Sequence, residues 1–331
     1  EHKAAAGPFS KCFPRATVWV QPGQWSFPVG LPLPFFGFPI GERLRTLSAD
    51  ERPPWTDEID FETLGPLRFK AVGAFGETAF FHKATGSLLV TDTIVRVDDE
   101  PPPIIAEDPR GLLFHARDDI GEELLDTSDV RRKGWRRICQ FGLVFFPSAI
   151  EVTLQDSLSE IQKLPASMRS LSEGSVPFGL YPWRWARDDE PSFRALQGGL
   201  LVAPILQALI LNRFPDETLE WVGRVSRFRF RRIIPCHLAN DLRAGPRDFE
   251  RAFDFLREPV SEGGEEDARS TPPLRGARWA LPPSPLWQHL PGPLAPPPQA
   301  REGDRSLLTS ASRILTKLGV VDPARAGRLY R

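Results

Sequence analysis

The stretch that decides the fold class is residues 77–95, which read ETAFFHKATGSLLVTDTIV. Two runs rich in aromatic and β-branched side chains, Glu77–Lys83 and Ser87–Val95, flank the short segment Ala84-Thr85-Gly86. Because glycine takes the positive φ that a tight turn needs, this pattern predicts a β-hairpin. In the second run, Leu88-Leu89-Val90 is continuously apolar rather than alternating, which predicts a strand buried on both faces.

Predicted helices and strands alternate on both sides of this hairpin, which indicates an α/β fold. Upstream, we expect a helix over residues 1–13, a strand at 17–20, a long surface loop over 21–41 and a strand over 61–72 broken at Gly65-Pro66. Downstream, apolar spacing predicts helices over 129–146, 192–213, 215–225 and 248–257, and a strand over 230–234.

The composition excludes two broad classes of protein. Of the 331 residues, 41% are hydrophobic and 26% are charged, so the chain is not predominantly disordered. The 42 basic and 43 acidic side chains nearly cancel, so no overall positive field draws the chain to nucleic acid or to anionic membranes. Residue 1 is glutamate, and we therefore expect a chain that is truncated at its N-terminus and lacks the first strands of its domain.

The three cysteines, Cys12, Cys139 and Cys236, are far apart and form no CxxC pair. This spacing disfavours a disulfide framework and a structural zinc knuckle. The longest apolar run covers residues 199–211, and its 13 residues are fewer than the roughly 20 that span a bilayer. The run therefore predicts a buried helix rather than a transmembrane segment.

Three regions of different composition divide the chain. Residues 1–258 carry the predicted α/β elements and form the domain. Residues 259–305 are rich in proline, glycine and charge, which is typical of a flexible, partly polyproline linker. Residues 306–331 regain a helical period, which predicts a C-terminal amphipathic helix and tail that dock on the domain or on a partner.

Two side chains that can bind a metal ion follow predicted strands. Asp92 ends the run LLVTD, and His237 ends the run RRIIPCH. Strand ends meet at the edge of a sheet, where polar ligands converge without disturbing the core. A carboxylate and an imidazole placed there can share a divalent metal ion. The structural alternatives are that Asp92 caps a turn and that His237 begins a turn or helix.

These stretches resemble the second half of a metallo-β-lactamase-like domain, in GETAFFHKATGSLLVTDTIVRV at 76–97 and FRRIIPCHLAND at 230–241. More narrowly, residues 1–258 resemble an uncharacterised domain-of-unknown-function family of plants, algae and cyanobacteria, in motifs that include YPWRWARDDEPSFRALQGG at 181–199. The first resemblance implies a four-layer αββα sandwich, in which the strand-end aspartate bridges two metal ions and the late histidine completes the second site. The second implies a plastid location and supplies no activity.

The chain departs from the metallo-β-lactamase pattern at ligand positions. Glu1-His2 stands where an HxHxDH cluster would end, and residues 71–76, AVGAFG, lack the histidine expected before the hairpin. The remaining metal-ligand candidates, His2, Asp92 and His237, barely reach the three ligands of a catalytic zinc. The resemblance admits zinc or another divalent metal, but these departures favour a degenerate, non-catalytic binding or scaffold protein without one. The alternative is a metal-dependent hydrolase of an ester, thioester or phosphoester that uses Asp92 and His237 as ligands.

The densest basic cluster lies on the predicted helix over 129–146. It comprises Arg131, Arg132, Lys133, Arg136 and Arg137. With Trp135 and Phe141 nearby, such a helix is compatible with contact to nucleic acid or anionic lipid. The alternative is an ordinary amphipathic helix with a solvated charged face. A second mixed block, YPWRWARDD at 181–189, either lines a pocket by cation–π stacking or packs as a loop.

Overall fold

The computed structural model describes residues 5–23, 31–48, 51–71, 73–118, 122–152, 183–257 and 295–325. Its strands are β1 Val18–Val20, β2 Leu44–Thr46, β3 Ile59–Arg68, β4 Ala74–His82, β5 Ser87–Val90, β6 Ile150–Val152, β7 Trp183–Trp185 and β8 Arg232–Pro235. Its α-helices are α1 Ala6–Cys12, α2 Pro103–Glu107, α3 Arg110–Ala116, α4 Ser128–Val144, α5 Glu190–Arg194, α6 Pro204–Leu209, α7 Pro215–Val225, α8 Pro246–Ala252 and α9 Glu302–Lys317. The predicted α/β class is confirmed.

The predicted hairpin forms the centre of a four-stranded sheet of order β3-β4-β5-β8. β3, β4 and β5 are antiparallel neighbours, and Gly86 in the hairpin turn has a φ of +64°. β8 comes from far downstream and pairs with β5 in parallel, with Leu88 opposite Ile233. Because parallel neighbours end at the same edge of a sheet, the residues that follow β5 and β8 are brought together.

The face of the sheet opposite its helices is partly open at β5. Leu88 and Val90 are buried in the main core, whereas Leu89 between them is 38% exposed. The prediction that this strand is buried on both faces was therefore wrong for Leu89. The reason is the pleat of the strand, which turns Leu89 and its cross-strand partner Phe80 away from the helices.

β3 continues through the position where the sequence predicted a break. Its pairing with β4 shifts register between Leu64 and Leu67, at the cis peptide bond Gly65-Pro66. Gly65 has a φ of +84°, and a Cβ there would lie 2.6 Å from the backbone nitrogen of Leu67. Glycine is therefore the residue that lets the strand pass this irregularity.

The main hydrophobic core lies between the sheet and helices α7 and α8. Trp221 on α7 is fully buried and packs edge-on against Phe249 and Phe253. Its indole Nε1 donates a hydrogen bond to the carbonyl oxygen of Glu62 in β3 at 3.1 Å. This packing fixes α7 against α8 and against β3.

A second core joins α3 and α4 to the segment that follows β5. The Thr127 side chain caps α4 by accepting a hydrogen bond from the Val130 amide. Trp135 on α4 is fully buried, and its Nε1 donates to the carbonyl oxygen of Asp98 at 2.9 Å. The helix predicted over 129–146 is confirmed, but it ends earlier because Phe145 takes a φ of +71°.

The closest approach of α3 to α4 is at Gly134. A Cβ there would lie 1.9 Å from the carbonyl oxygen of Leu112, which is backbone and moves only with its helix. We therefore expect Gly134→Ala to lower the free energy of unfolding by about 2 kcal/mol, measured by urea denaturation. Gly142→Ala on the same helix is the control, since a Cβ there meets nothing within 4 Å. An unchanged denaturation midpoint for Gly134→Ala would contradict this packing.

The long helix predicted over 192–213 does not form. The chain makes the short helix α5, then an irregular segment with Gly198 at a φ of +115°, and then α6, with Pro204 at its first position. The physical reason is local, because Gly198-Gly199 and a proline interrupt a helix despite the apolar run around them. The intervening Leu201 instead forms an isolated β-bridge with Val95.

The other predicted elements are confirmed with shifted ends. The helix at 1–13 corresponds to α1, the strand at 17–20 to β1, the helix at 215–225 to α7, the strand at 230–234 to β8 and the helix at 248–257 to α8. The described part of the loop at 21–41 contains the short 3-10 helix Leu33–Phe36. Within the described part of the chain, no helix combines the length and hydropathy needed to cross a bilayer.

The C-terminal helix α9 docks on the domain by packing against α6. Buried Arg213 donates to the Ser312 hydroxyl at 2.7 Å, and the Ser148 amide donates to the Asp304 carboxylate at 2.7 Å. α9 begins before the predicted start at 306. Most of the predicted linker over 259–305, namely residues 259–294, lies outside the described residues.

Candidate functional site

Asp92 and His237 meet at one edge of the four-stranded sheet. Asp92 follows β5 and His237 follows β8, and the two strands are parallel neighbours. His237 Nε2 lies 3.0 Å from Asp92 Oδ1, and the two side chains are 47% and 34% exposed. The structure therefore brings together the two strand-end residues that the sequence singled out.

A buried carboxylate, Glu77 on β4, holds the turn that carries Asp92. Its oxygens accept hydrogen bonds from the backbone amides of Thr91, Asp92 and Thr93 at 2.8–3.1 Å, and from the Thr93 hydroxyl at 2.9 Å. Glu77 is 3% exposed, and its burial raises the pKa of the carboxyl group above its ordinary value. The position of Asp92 thus depends on a side chain from the neighbouring strand.

Glu77 was not among the site residues predicted from the sequence. A signal for it exists, because Glu77, Ala79 and Phe81 alternate along β4 and share the face that packs against the core. An acidic residue on the buried face of a strand requires hydrogen-bond partners, and the polar run at 91–93 supplies them.

The turn that carries His237 is also anchored to the sheet. The Cys236 amide donates to the Val90 carbonyl oxygen at 3.0 Å. The Asn240 side-chain amide donates to the Pro235 carbonyl oxygen at 3.2 Å and closes the turn. Of the two structural alternatives for His237, the chain therefore forms a turn here and not a helix.

Cys236 lies next to His237 but is a poor nucleophile. Partial burial, together with the carboxylates of Glu77 and Asp92, raises the pKa of its thiol. A thiol with a raised pKa stays protonated at neutral pH, whereas the thiolate is the reactive form. The chemistry of this edge therefore rests on the carboxylate and the imidazole.

A cleft of about 440 Å³ adjoins this edge of the sheet. It lies between β1 and the face of β4 that turns away from the main core. Trp19, Phe38 and Phe80 give it apolar walls, and Asp92 and Thr78 are among its polar lining residues. Its volume lies within the range of small-molecule sites, about 300–1,000 Å³.

A catalytic zinc takes three protein ligands, and Asp92 and His237 are two side chains of the types that bind zinc. In the structure they contact each other directly, with His237 Nε2 3.0 Å from Asp92 Oδ1. Among the described residues, however, no group of three His, Cys, Asp or Glu side chains is placed to hold a metal ion. The third predicted ligand, His2, lies outside the described residues. The described part of the chain therefore does not complete a catalytic metal site.

The basic cluster on α4 is neutralised by acidic residues of the chain itself. The pairs are Arg131–Asp126, Arg132–Glu100, Lys133–Asp118, Arg136–Asp189 and Arg137–Asp118. Because each cation already has a carboxylate partner, the structure lends no support to contact of this cluster with nucleic acid or anionic lipid. That contact stays a prediction.

Arg137 is the most buried member of this cluster, at 3% exposure. Its guanidinium donates to the carbonyl oxygens of Ala116 and Arg117 at 2.8 Å and pairs with Asp118. It also lies 4.4 Å from the centre of the Trp185 ring. The described part of the block at 181–189 therefore packs against α4, and its cation–π contact is structural.

His115 on α3 adjoins the same network and predicts a dependence of stability on pH. Burial and the charge of Arg137 lower the pKa of His115 to about 4. The folded chain therefore binds this proton less tightly than the unfolded chain, and stability falls as pH drops from about 6.5 to about 4. Between pH 7 and pH 4, we expect the wild type to lose about 3 kcal/mol more than His115→Phe in urea denaturation. Equal losses in the two proteins would show that His115 does not titrate in this way.

The fold and the site define an α/β domain with a carboxylate–imidazole pair at the edge of its sheet and a cleft beside it. The family model described as "Domain of unknown function (DUF4336)" matches residues 1–255, and the chain belongs to that family. This description assigns no activity. No curated protein and no solved structure matches the chain.

Proposed function

We propose that the chain is a degenerate metallo-β-lactamase-like domain that works as a binding or scaffold protein rather than as an enzyme. The observation that carries this proposal is the Asp92–His237 pair, in which His237 Nε2 lies 3.0 Å from Asp92 Oδ1. Among the described residues, no third metal-binding side chain lies beside them. Residues 71–76, where the resemblance places a further ligand, contain no histidine. A carboxylate and an imidazole without a metal ion still bind polar ligands through charge-assisted hydrogen bonds.

The layout of the sheet supports the metallo-β-lactamase-like part of this proposal. Helices α7 and α8 cover one face of the four-stranded sheet, and the other face turns toward the cleft and β1. β1 and β2 pair in parallel and form a separate two-stranded sheet. In an αββα sandwich, β1 and β2 would belong to the second sheet.

A plastid location is proposed on the sequence resemblance alone, and imaging of the full-length protein fused to a fluorescent protein tests it.

The alternative function is metal-dependent hydrolysis of an ester, thioester or phosphoester, with His2, Asp92 and His237 as the metal ligands. The convergence of Asp92 and His237 on neighbouring strand ends favours this alternative. A metal ion bound there would supply a hydroxide nucleophile at neutral pH. Glu77 would then keep the turn of Asp92 in place, as it does in the structure.

Hydrolysis assays separate the two functions. The wild type and the double variant Asp92→Ala/His237→Ala are incubated with chromogenic ester, thioester and phosphoester substrates, with and without added zinc or manganese. The binding proposal predicts no metal-dependent rate in the wild type above that of the double variant. A metal-dependent rate that the double variant loses would establish the hydrolase in its place.

A further inference from the structure

A group of exposed arginines without carboxylate partners lies on one surface of the domain. Two segments contribute to it, RFRFRR at 227–232 and RAGPR at 243–247. We call the following five residues the arginine surface: Arg227, Arg229, Arg231, Arg243 and Arg247. Within the described part of the chain, none of the five forms an ion pair. They differ in this respect from the cluster on α4, whose charges are all balanced.

The fold holds the two segments side by side at the free edge of β8. Ile233 and Leu242 exchange two backbone hydrogen bonds of 2.8 Å. This antiparallel pairing places Arg232 opposite Arg243. Further along, a Cβ on Gly245 would lie 3.9 Å from the carbonyl oxygen of Phe230. The two arginine-bearing segments therefore run side by side. The Nε of Arg231 donates to the Thr85 carbonyl oxygen at 3.2 Å, beside the turn between β4 and β5.

The alternation of phenylalanine and arginine turns the charges outward. Phe228 stacks on Phe81 with ring centres 5.2 Å apart, and Phe230 is 1% exposed. The arginines between and after them are exposed. Residues 226–228 form a turn and bend after α7, and the strand β8 begins only at Arg232. Asp241, an acidic residue of the same edge, forms an ion pair with Arg232, with Arg232 Nε 2.7 Å from Asp241 Oδ1. Among the described residues, the five arginines thus form no ion pair with a carboxylate.

We propose that the arginine surface binds the phosphate backbone of a nucleic acid without reading its sequence. Guanidinium groups match phosphate oxygens with paired hydrogen bonds, and all five cations of this surface are arginine. The aromatic rings that would stack on bases, Phe228 and Phe230, are turned into the core, so the contact is to phosphate. This function is separate from the Asp92–His237 site and does not depend on it.

The composition of the surface favours nucleic acid over an anionic membrane. A membrane-binding face combines basic residues with large apolar side chains that insert between lipids. Residues 226–257 are all described, and none of the exposed large hydrophobic side chains belongs to this range. A surface of charge alone suits a polyanion that stays in water.

Fluorescence anisotropy with a labelled duplex of DNA, measured over a range of salt concentrations, tests the proposal. Five phosphate contacts predict a slope of about −4.5 for the logarithm of the binding constant against the logarithm of salt concentration. For Arg229→Gln/Arg243→Gln/Arg247→Gln, we expect a slope of about −1.8 and at least about tenfold weaker binding at about 50 mM salt. The control Arg15→Gln/Arg52→Gln/Arg301→Gln removes the same charge from exposed arginines elsewhere and should keep the steep slope.

Several outcomes overturn the proposal. These are no binding to the duplex at about 50 mM salt, equal losses in the two triple variants, or binding of the wild type to phosphatidylserine vesicles but not to the duplex. Circular dichroism establishes that each variant is folded. If the first triple variant does not fold, Arg247→Gln alone is measured, and its slope should be shallower by about 0.9. An unchanged slope in that variant counts against the proposal.

Discussion

Replacing Arg137 with alanine is expected to lower the free energy of unfolding by about 3–5 kcal/mol. The guanidinium of Arg137 is buried and joins the end of α3, the carboxylate of Asp189 and the ring of Trp185. Its removal leaves buried carbonyl oxygens without their donor and leaves Asp189, itself 4% exposed, with fewer cationic partners. Breaking such a buried pair costs more than the pair contributes, because the remaining polar groups stay out of water.

Urea denaturation followed by tryptophan fluorescence measures this loss. The matched control is Arg132→Ala on the same helix, where the side chain is 40% exposed and its partner Glu100 is 61% exposed. Such an exposed ion pair contributes less than about 1 kcal/mol. If the two variants lose the same stability, the Arg137 network does not hold this part of the domain together.

Glu77→Ala is expected to lower the free energy of unfolding by about 3 kcal/mol and to release the turn that carries Asp92. The carboxylate accepts three backbone hydrogen bonds and one from the Thr93 hydroxyl. Without it, these donors are left without an acceptor in a buried place. The control is Glu58→Ala, an exposed position at which we expect a change of less than about 0.5 kcal/mol.

The effect of Glu77→Ala should also depend on pH. Because burial raises the pKa of Glu77, the folded chain binds this proton more tightly than the unfolded chain. The stability that Glu77 contributes therefore falls as pH rises from about 4.5 through the raised pKa.

Hydrogen exchange at the amides of residues 91–93 reports the release of the turn directly. Unchanged exchange there in Glu77→Ala would show that Glu77 does not position Asp92.

Some of this structure follows from local pattern and one rule of topology. The hairpin was predictable because two strand-like runs flank Gly86, and β5 ends where the polar run at 91–93 begins. The meeting of Asp92 and His237 was predictable in outline, because residues that follow neighbouring parallel strands share an edge of the sheet. The role of the pair in binding a metal ion or a ligand stays a prediction.

The remaining features depend on partners that are distant in sequence. Arg137 reads as one of five surface cations because nothing local shows that Asp189 and Trp185 come to lie against α4. The arginine surface shows the reverse, since its two segments become neighbours only through the bridge between Ile233 and Leu242. The number of basic residues close together in the sequence therefore pointed to the cluster on α4, whose charges are paired. It did not point to the arginine surface, whose arginines form no ion pairs.

The zinc content of the purified chain shows whether the Asp92–His237 edge is a degenerate site. The wild type and Asp92→Ala/His237→Ala are dialysed with zinc and then without it, and bound metal is measured by mass spectrometry. We expect less than about a tenth of an equivalent in both proteins, because two ligands do not complete a site. About one equivalent in the wild type and none in the double variant would instead establish a metal site, with His2 as the predicted third ligand.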